Sequence, residues 1–314
     1  MGIKQIKTKD KEEWLKLRKN YIGGSDAGAV IGMNPYKSAY TLWAEKTGKI
    51  PEFEGNLTTE IGSFLEEKVA DLFEKQTGKK VIRRNATLVN EEYPWACADL
   101  DRKIVNENAA LECKTTNSFP IIRQIRGNEF PDMYYAQCVH YLAVTGYDKV
   151  YLAVLSECRR FDIFELERDQ AEVDALMKSE EEFWEHVKTN TPPAVDGSDS
   201  TSDTLLALYP ESNGNTIDLM PMEEELNQYW SLKAQNANIS GLMDEKANLI
   251  KDYMKDAEKG VFGNYSVSFK SQVRRGFDYK KLIADRPDMD FSAYFTESES
   301  RPFQIRKKGE KKSV

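Results

Sequence analysis

The stretch from residue 80 to residue 166 most constrains the fold, because its hydrophobic period changes repeatedly within a short length. Residues 80–89, 95–105 and 109–115 read as three strands, with Asn106-Glu107-Asn108 as the hairpin turn joining the last two. Residues 131–145 read as a helix that Pro131 opens and Gly146 stops. Residues 149–155 form an apolar run of strand length, and 161–166 another strand. Helices bracket this block. In 58–77, Ile61, Phe64, Leu65, Val69, Leu72 and Phe73 recur at three and four, and Gly78 ends the run; in 168–187, Val173, Leu176, Met177, Phe183 and Trp184 do the same work. The pattern predicts an α/β layer architecture, a mixed central sheet flanked by helices.

Shorter helices are expected at 11–19, where Trp14 and Leu17 would face the core, and at 38–48. Between them, Ile22-Gly23-Gly24-Ser25-Asp26 reads as a tight turn in which Ser25 or Asp26 could cap the next helix; a free helix N-terminus there would favour an anion. Residues 192–202 are turn-rich and polar. The expected organisation is a domain at 1–195, a linker or surface connection at 196–221, and an accessory region at 222–314. That region reads as a long helix over 222–257 with a narrow apolar stripe, then strands at 265–269 and 272–277, then a basic tail from Arg306.

The polar start of the chain does not read as a signal peptide, and no run of eighteen apolar residues occurs. Cys97, Cys113, Cys138 and Cys158 lack CxxC spacing and fall in apolar segments, so buried free thiols in a reducing cytoplasm are expected. With two histidines, His140 and His186, a His-rich metal site is excluded, and His140 reads as structural. The net charge of −8 is uneven: residues 260–314 carry +5 and the rest about −13. A local basic groove on an acidic body remains compatible with nucleic acid.

The chemistry concentrates around Leu111-Glu112-Cys113-Lys114-Thr115. Glu112 and Lys114 are two apart and share a strand face. Asp101 stands in the middle of the preceding expected strand, followed by Arg102, and would approach Glu112 across the hairpin. Two facing carboxylates repel unless a cation lies between them. Asp101, Glu112 and the Cys113 carbonyl suit Mg²⁺, which takes a few oxygen ligands and keeps waters. Lys114 would orient or deprotonate a water, or steady a phosphate. Asp99 shares the face of Asp101 and remains a second candidate. Glu66 lies beside the apolar stripe of its helix, either at its edge or serving the site.

Asp101…Glu112-Cys113-Lys114 resembles the D…(D/E)xK signature of the PD-(D/E)xK nuclease superfamily. With Trp14-Leu15-Lys16-Leu17-Arg18, Ile22 to Ala27, Gly62-Ser63-Phe64-Leu65-Glu66, Leu111 to Thr116 and Tyr134-Tyr135-Ala136-Gln137 in order, residues 11–190 resemble the lambda exonuclease or YqaJ-type viral recombinase family. The resemblance implies Mg²⁺ (with Mn²⁺ substituting) at Asp101, Glu112 and Cys113, with Glu66 near it. It implies Lys114 as the catalytic lysine, supported by Gln137 and Tyr134, and a 5′-phosphate held by Arg18 and Ser25. The implied activity is 5′-to-3′ resection of linear double-stranded DNA, leaving 3′ overhangs for a phage-type single-strand annealing protein. A ring-shaped homo-oligomer such as a trimer, in a bacterial cytoplasm and encoded by a phage or prophage, completes the expectation. An endonuclease of the same superfamily and a non-catalytic DNA-end-binding protein are the alternatives. An iron–sulfur nuclease is disfavoured, since no cysteine follows Cys158. For the accessory region, the sequence leaves open oligomer contacts, partner docking or DNA approach through Arg274, Arg275 and Lys280.

Overall fold

The computed structural model describes residues 2–53, 55–296 and 300–306, and the chain divides into two units, residues 1–210 and 211–314. In the first unit, β1 (Ile3–Ile6) leads to α1 (Lys11–Arg18), the two-residue β2 (Ile22–Gly23), α2 (Gly24–Val30), α3 (Ala39–Lys46) and α4 (Leu57–Thr77). Then come β3 (Val81–Arg83), β4 (Thr87–Asn90), β5 (Ala96–Ala98), β6 (Arg102–Ile104) and β7 (Ala109–Thr116). Helices α5 (Phe119–Arg126) and α6 (Asp132–Thr145) lead to β8 (Lys149–Ser156) and β9 (Arg160–Glu167), followed by α7 (Gln170–Lys188) and α8 (Asp199–Leu208).

The architecture is mixed α/β with flanking helices, but two of the expected strands divide. Residues 80–89 become β3 and β4, and 95–105 become β5 and β6, with each half in a different sheet. One sheet has the order β1-β4-β5-β2 and the other β3-β6-β7-β8-β9. Asp101 is therefore at a bend entering β6, not in mid-strand. The cause is visible in the hydrogen bonds of the crossing segment. The Asp99 carboxylate accepts from Trp14 Nε1 at 3.1 Å and Thr87 Oγ1 at 2.6 Å, which fastens it to the first sheet. The Asp101 carboxylate accepts from the Cys113 amide at 2.8 Å, which fastens it to the second.

In the second sheet β7 pairs with β6 antiparallel and with β8 in parallel, so α5 and α6 form the crossover between β7 and β8. The pleat of β7 sends Ala109, Leu111 and Cys113 toward Val69, Ala70 and Phe73 of α4. Ala110 packs in the opposite core with Cys138, Leu142 and Val173 of α6 and α7. Helix α4 is only half used: Val69, Ala70 and Phe73 are buried, whereas Leu57, Ile61 and Phe64 of the same helix face solvent. Behind the sheets, His140 and Glu180 are both fully buried. His140 Nδ1 meets Glu180 Oε1 at 2.8 Å, and its Nε2 meets the Cys97 carbonyl at 2.8 Å, tying α6 to α7 and β5.

Two expectations need correction. Cys97, Cys113 and Cys138 are buried, but Cys158 is exposed, because it occupies the β8–β9 turn with Glu157, both at positive φ. Residues 199–208, within the stretch expected to be a connection, form α8, capped by Ser198 and packed on α3 through Thr41, which meets the Ser200 and Thr204 hydroxyls at 2.7 Å. The composition reads as turn-like because hydroxyls make much of the α3–α8 contact, with Leu205 and Leu208 as its apolar part.

In the second unit, α9 (Glu223–Met254) precedes the hairpin of β10 (Lys259–Phe262) and β11 (Tyr265–Ser268), and α10 (Tyr279–Asp285) follows. The strand expected at 272–277 does not form; having no neighbouring strand, it stays irregular. The basic tail beyond Arg306 lies outside the described residues. Among the described residues, no helix is long and apolar enough to cross a membrane.

The uneven use of α4 gives a direct test. Phe73→Ala should lower the unfolding free energy by about 3–5 kcal/mol, since it empties a fully packed position. Phe64→Ala, at 83% exposure, should change it by no more than about 0.5 kcal/mol in the same urea titration.

Candidate active site

Strand β7 carries the centre of the site. Glu112 is 2% exposed, and its Oε1 accepts from Lys114 Nζ at 2.7 Å and Gln137 Nε2 at 2.7 Å. Its Oε2 is buried with no hydrogen-bond partner. An unpaired carboxylate oxygen in the interior is costly, so its environment is built to receive a donor or a cation. The β6–β7 register pairs Arg102 with Leu111, and its continuation sets Asp101 opposite Glu112. Burial, then the charge of Glu112, then that of Glu66 push the Asp101 carboxyl well above the usual carboxylate range, against the opposing pull of Lys114 and the Cys113 amide. Burial works against the Lys114 ammonium, but Glu112 and Asp101 overcome it and raise its pKa above the ordinary value. Lys114 is therefore a cation at neutral pH. Its Nζ also lies 5.5 Å from the centre of the Tyr134 ring.

Glu66 lies close enough to the pair for its charge to act on Asp101, and it is held by Arg102. Its Oε1 accepts from Arg102 Nη1 at 2.5 Å, and Arg102 Nη2 reaches Glu67 at 2.9 Å. Arg102 is almost fully buried and also donates to the Asp101 carbonyl at 2.6 Å. Glu66 thus acts on Asp101 through its field. Among the described residues, no group of three or more His, Cys, Asp or Glu side chains is gathered to hold a metal ion. What is gathered is a pair of carboxylates, one of them tied to the Cys113 amide, with one buried Glu112 oxygen unpaired. That donor chemistry fits a hard divalent ion that keeps several waters, and does not fit a zinc cage of nitrogen and sulfur.

A second cluster lies at the start of α2. Arg18, at the end of α1, donates to Ser25 Oγ at 2.8 Å, stacks over the Trp14 ring at 4.9 Å and lies 3.9 Å from Asp26. Asp26 is buried, yet Lys46 at 2.9 Å and then Arg18 hold its carboxyl far below the usual range. Neither Ser25 nor Asp26 caps α2. The cap is Gly23, whose amide donates to Asp26 Oδ2 at 3.1 Å, because the acid at the third helical position reaches back. That bond occupies one of the amides an anion would use.

The two clusters are joined by a continuous chain of contacts. Gln137 Nε2 also donates to Tyr141 Oη at 2.8 Å, and Tyr141 Oη donates to the Asp99 carbonyl at 2.9 Å. Asp99 binds Trp14, which lies under Arg18. Tyr141 also packs so tightly against Gly24 that a Cβ there would lie 2.5 Å from its ring. Of the predicted residues, Asp101, Glu112, Cys113, Lys114, Gln137 and Tyr134 come together, and Arg18 and Ser25 form the second group. Asp99 belongs to the link between them and not to the carboxylate pair. Sequence reasoning missed Tyr141, and noted Arg102 only as the neighbour of Asp101. The i+4 spacing of Tyr141 from Gln137 was the available signal, but an aromatic on an apolar helix face reads as core.

The sequence profile of the YqaJ-like viral recombinase domain matches residues 13–148. The chain is 40% identical over 285 residues to the Bacillus subtilis (strain 168) protein YqaJ, covering 89% of each. Its fold is similar to that of an alkaline exonuclease, LHK-Exo, from Laribacter hongkongensis. The TM-score is 0.50 at 19% identity, covering 57% of this chain and 94% of that one. A structure of LHK-Exo in complex with dAMP matches at the same TM-score and 18% identity.

A raised carboxyl pKa fixes the sign of a stability effect. The folded state holds the Asp101 proton to higher pH than the unfolded chain does, so this group costs stability as pH rises from the ordinary carboxylate value through the folded one. In EDTA, wild-type protein should lose more stability between pH 5 and pH 8 than Asp101→Asn, measured by urea unfolding. Parallel pH curves for the two would contradict the buried carboxylate repulsion.

Proposed function

The chain belongs to the YqaJ-like viral recombinase family, and from that premise we propose that it is a divalent-metal-dependent deoxyribonuclease acting on linear double-stranded DNA. It resects the 5′-ended strand in the 5′-to-3′ direction and leaves a 3′ overhang for a single-strand annealing partner. The observation that carries this reading is the buried, unpartnered Glu112 oxygen beside Asp101, with Lys114 on the other Glu112 oxygen. Likeness of fold to an alkaline exonuclease is consistent with it.

One or two Mg²⁺ ions (or Mn²⁺) at Asp101, Glu112 and the Cys113 carbonyl would supply an activated water and charge neutralisation on the phosphate. The residues of the chain do the rest. Asp101 and Glu112 provide the negative well, and Gln137 fixes the Glu112 rotamer from α6. Lys114, charged and held by Glu112, orients the attacking water and neutralises the charge that grows on the phosphoryl oxygens. With its pKa raised, it serves as a cation more readily than as a base. Tyr134, buried and stacked under the lysine, limits its motion.

The claim to start from a 5′ end rests on Arg18 and Ser25. Arg18 is partly exposed, directed by Trp14 and already hydrogen-bonded to a hydroxyl, which suits a fork for a terminal phosphate. The link through Asp99 and Tyr141 gives the two clusters a fixed relation, as stepwise removal of nucleotides from an end requires.

The test uses linear duplex DNA with and without a 5′-phosphate, in Mg²⁺ or EDTA. Digestion should require Mg²⁺, proceed faster on the phosphorylated end and spare the complementary strand. Lys114→Ala should lower the rate by about 10²–10³-fold. Attack on covalently closed circles at an equal rate would favour the endonuclease reading, and binding of ends without cleavage the non-catalytic one. Arg18→Ala should erase the preference for phosphorylated ends while cutting the rate on hydroxyl ends far less. Equal losses on both substrates would remove Arg18 from the phosphate role.

A further inference from the structure

Helix α9 spans 32 residues, about 48 Å, yet buries a single side chain, Met254 at its end. Every residue from 231 to 246 is exposed. Such a helix has little to sustain it alone. It contains Gly241 and the weak helix formers Asn227, Asn236, Asn238 and Asn248, and helical stability in proteins comes mainly from packing of an apolar face. The apolar face exists and is unpartnered. Positions 229, 232, 236, 239, 243, 246, 250 and 253 alternate in steps of three and four, the spacing of a coiled-coil seam. Six of the eight are apolar and exposed, from 44% at Tyr229 to 89% at Tyr253. The two exceptions are Asn236 and Lys246.

Those exceptions select the occupant. We infer that α9 is an interaction surface for α9 of a second copy of this chain, running antiparallel about a two-fold axis at residue 241. In that register each seam position meets the one whose number completes the same sum. Tyr229 meets Tyr253 of the second copy, and Leu232 meets Ile250. Ile239 meets Met243 beside the axis. Asn236 meets Lys246, so polar faces polar, and the Asn236 carbonyl accepts from the ammonium that Glu245 now holds at 2.7 Å on the isolated helix. A two-fold contact is self-complementary by construction, so every layer occurs twice. The flanks agree: Lys233 would lie beside Ala247, Leu226 beside Met254, and Ser240 beside its own copy, with no like charges opposed. A parallel pair would stack Lys246 on Lys246, two ammonium groups in one apolar layer. The antiparallel register removes that cost.

The pairing concerns the second unit and is independent of the nuclease reading and of any ring formed by the first. It is tested on the full chain by sedimentation equilibrium. Wild-type protein should assemble in an even number of chains, and Ile239→Asp should halve the mass. Asn236→Lys should also halve it, because it opposes Lys246 of the second copy. The double variant Asn236→Lys with Lys246→Glu should restore the wild-type mass, since each lysine then meets a glutamate. A parallel pair cannot be rescued this way, because like charges then meet in both layers. A monomeric wild type, an unchanged mass in Ile239→Asp, or a double variant that stays dissociated would each overturn the inference. A cooperative urea transition of the first unit at the wild-type midpoint in Ile239→Asp would confirm that the variant is folded.

Discussion

The carboxylates of Asp101 and Glu112, brought face to face below the surface, are the constraint on which the site depends. Nothing in a fold gains from this contact by itself, since each charge disfavours the other and burial disfavours both. Much of the surrounding structure serves to hold them there. The Cys113 amide and Arg102 anchor the two ends of Asp101, one at its side chain and one at its carbonyl. Lys114 and Gln137 share one Glu112 oxygen and leave the other open. Burial first, and then the charge of Glu112, push the Asp101 carboxyl up, so the ionised pair costs the fold stability.

The same constraint explains why the chain changes sheets where it does. A continuous strand over 95–105 would give Asp99 and Asp101 the same face and put both acids beside Glu112. The break separates them. Asp99 turns to Trp14 and Thr87 and becomes the relay toward Arg18, while Asp101 turns to β7. Tyr141 then closes the distance between the clusters, its hydroxyl between Gln137 and the Asp99 carbonyl and its ring against Gly24. The glycine at 24 is required there by close approach, not by an unusual backbone angle.

Much of this was legible from residue order. The alternation in β7 put Glu112 and Lys114 on one face, and the helix signals at Gly78 and Gly146 located the ends of α4 and α6, where both glycines take positive φ. Other features were not legible because they depend on partners distant in the chain. Glu66 reads the same whether it ligates a metal or pairs with Arg102, thirty-six residues away. Residues 199–208 look like a linker until α3 supplies hydroxyl partners. Phe64 looks like core until α4 proves to be covered only toward its C-terminal end.

By itself, then, the sequence determined the layer architecture and the identity of the acid–lysine strand, because strand and helix periods and nearest-neighbour spacing are local properties. It also determined that a long helix with a narrow apolar stripe lies within 222–257, which needs no partner to be read. Only the tertiary structure decided which acid joins Glu112, that Glu66 pairs with Arg102, and that Tyr141 links the two clusters. Each of those outcomes turns on hydrogen bonds between residues far apart in the chain, and the choice among competing partners is made by the packing that brings them within reach.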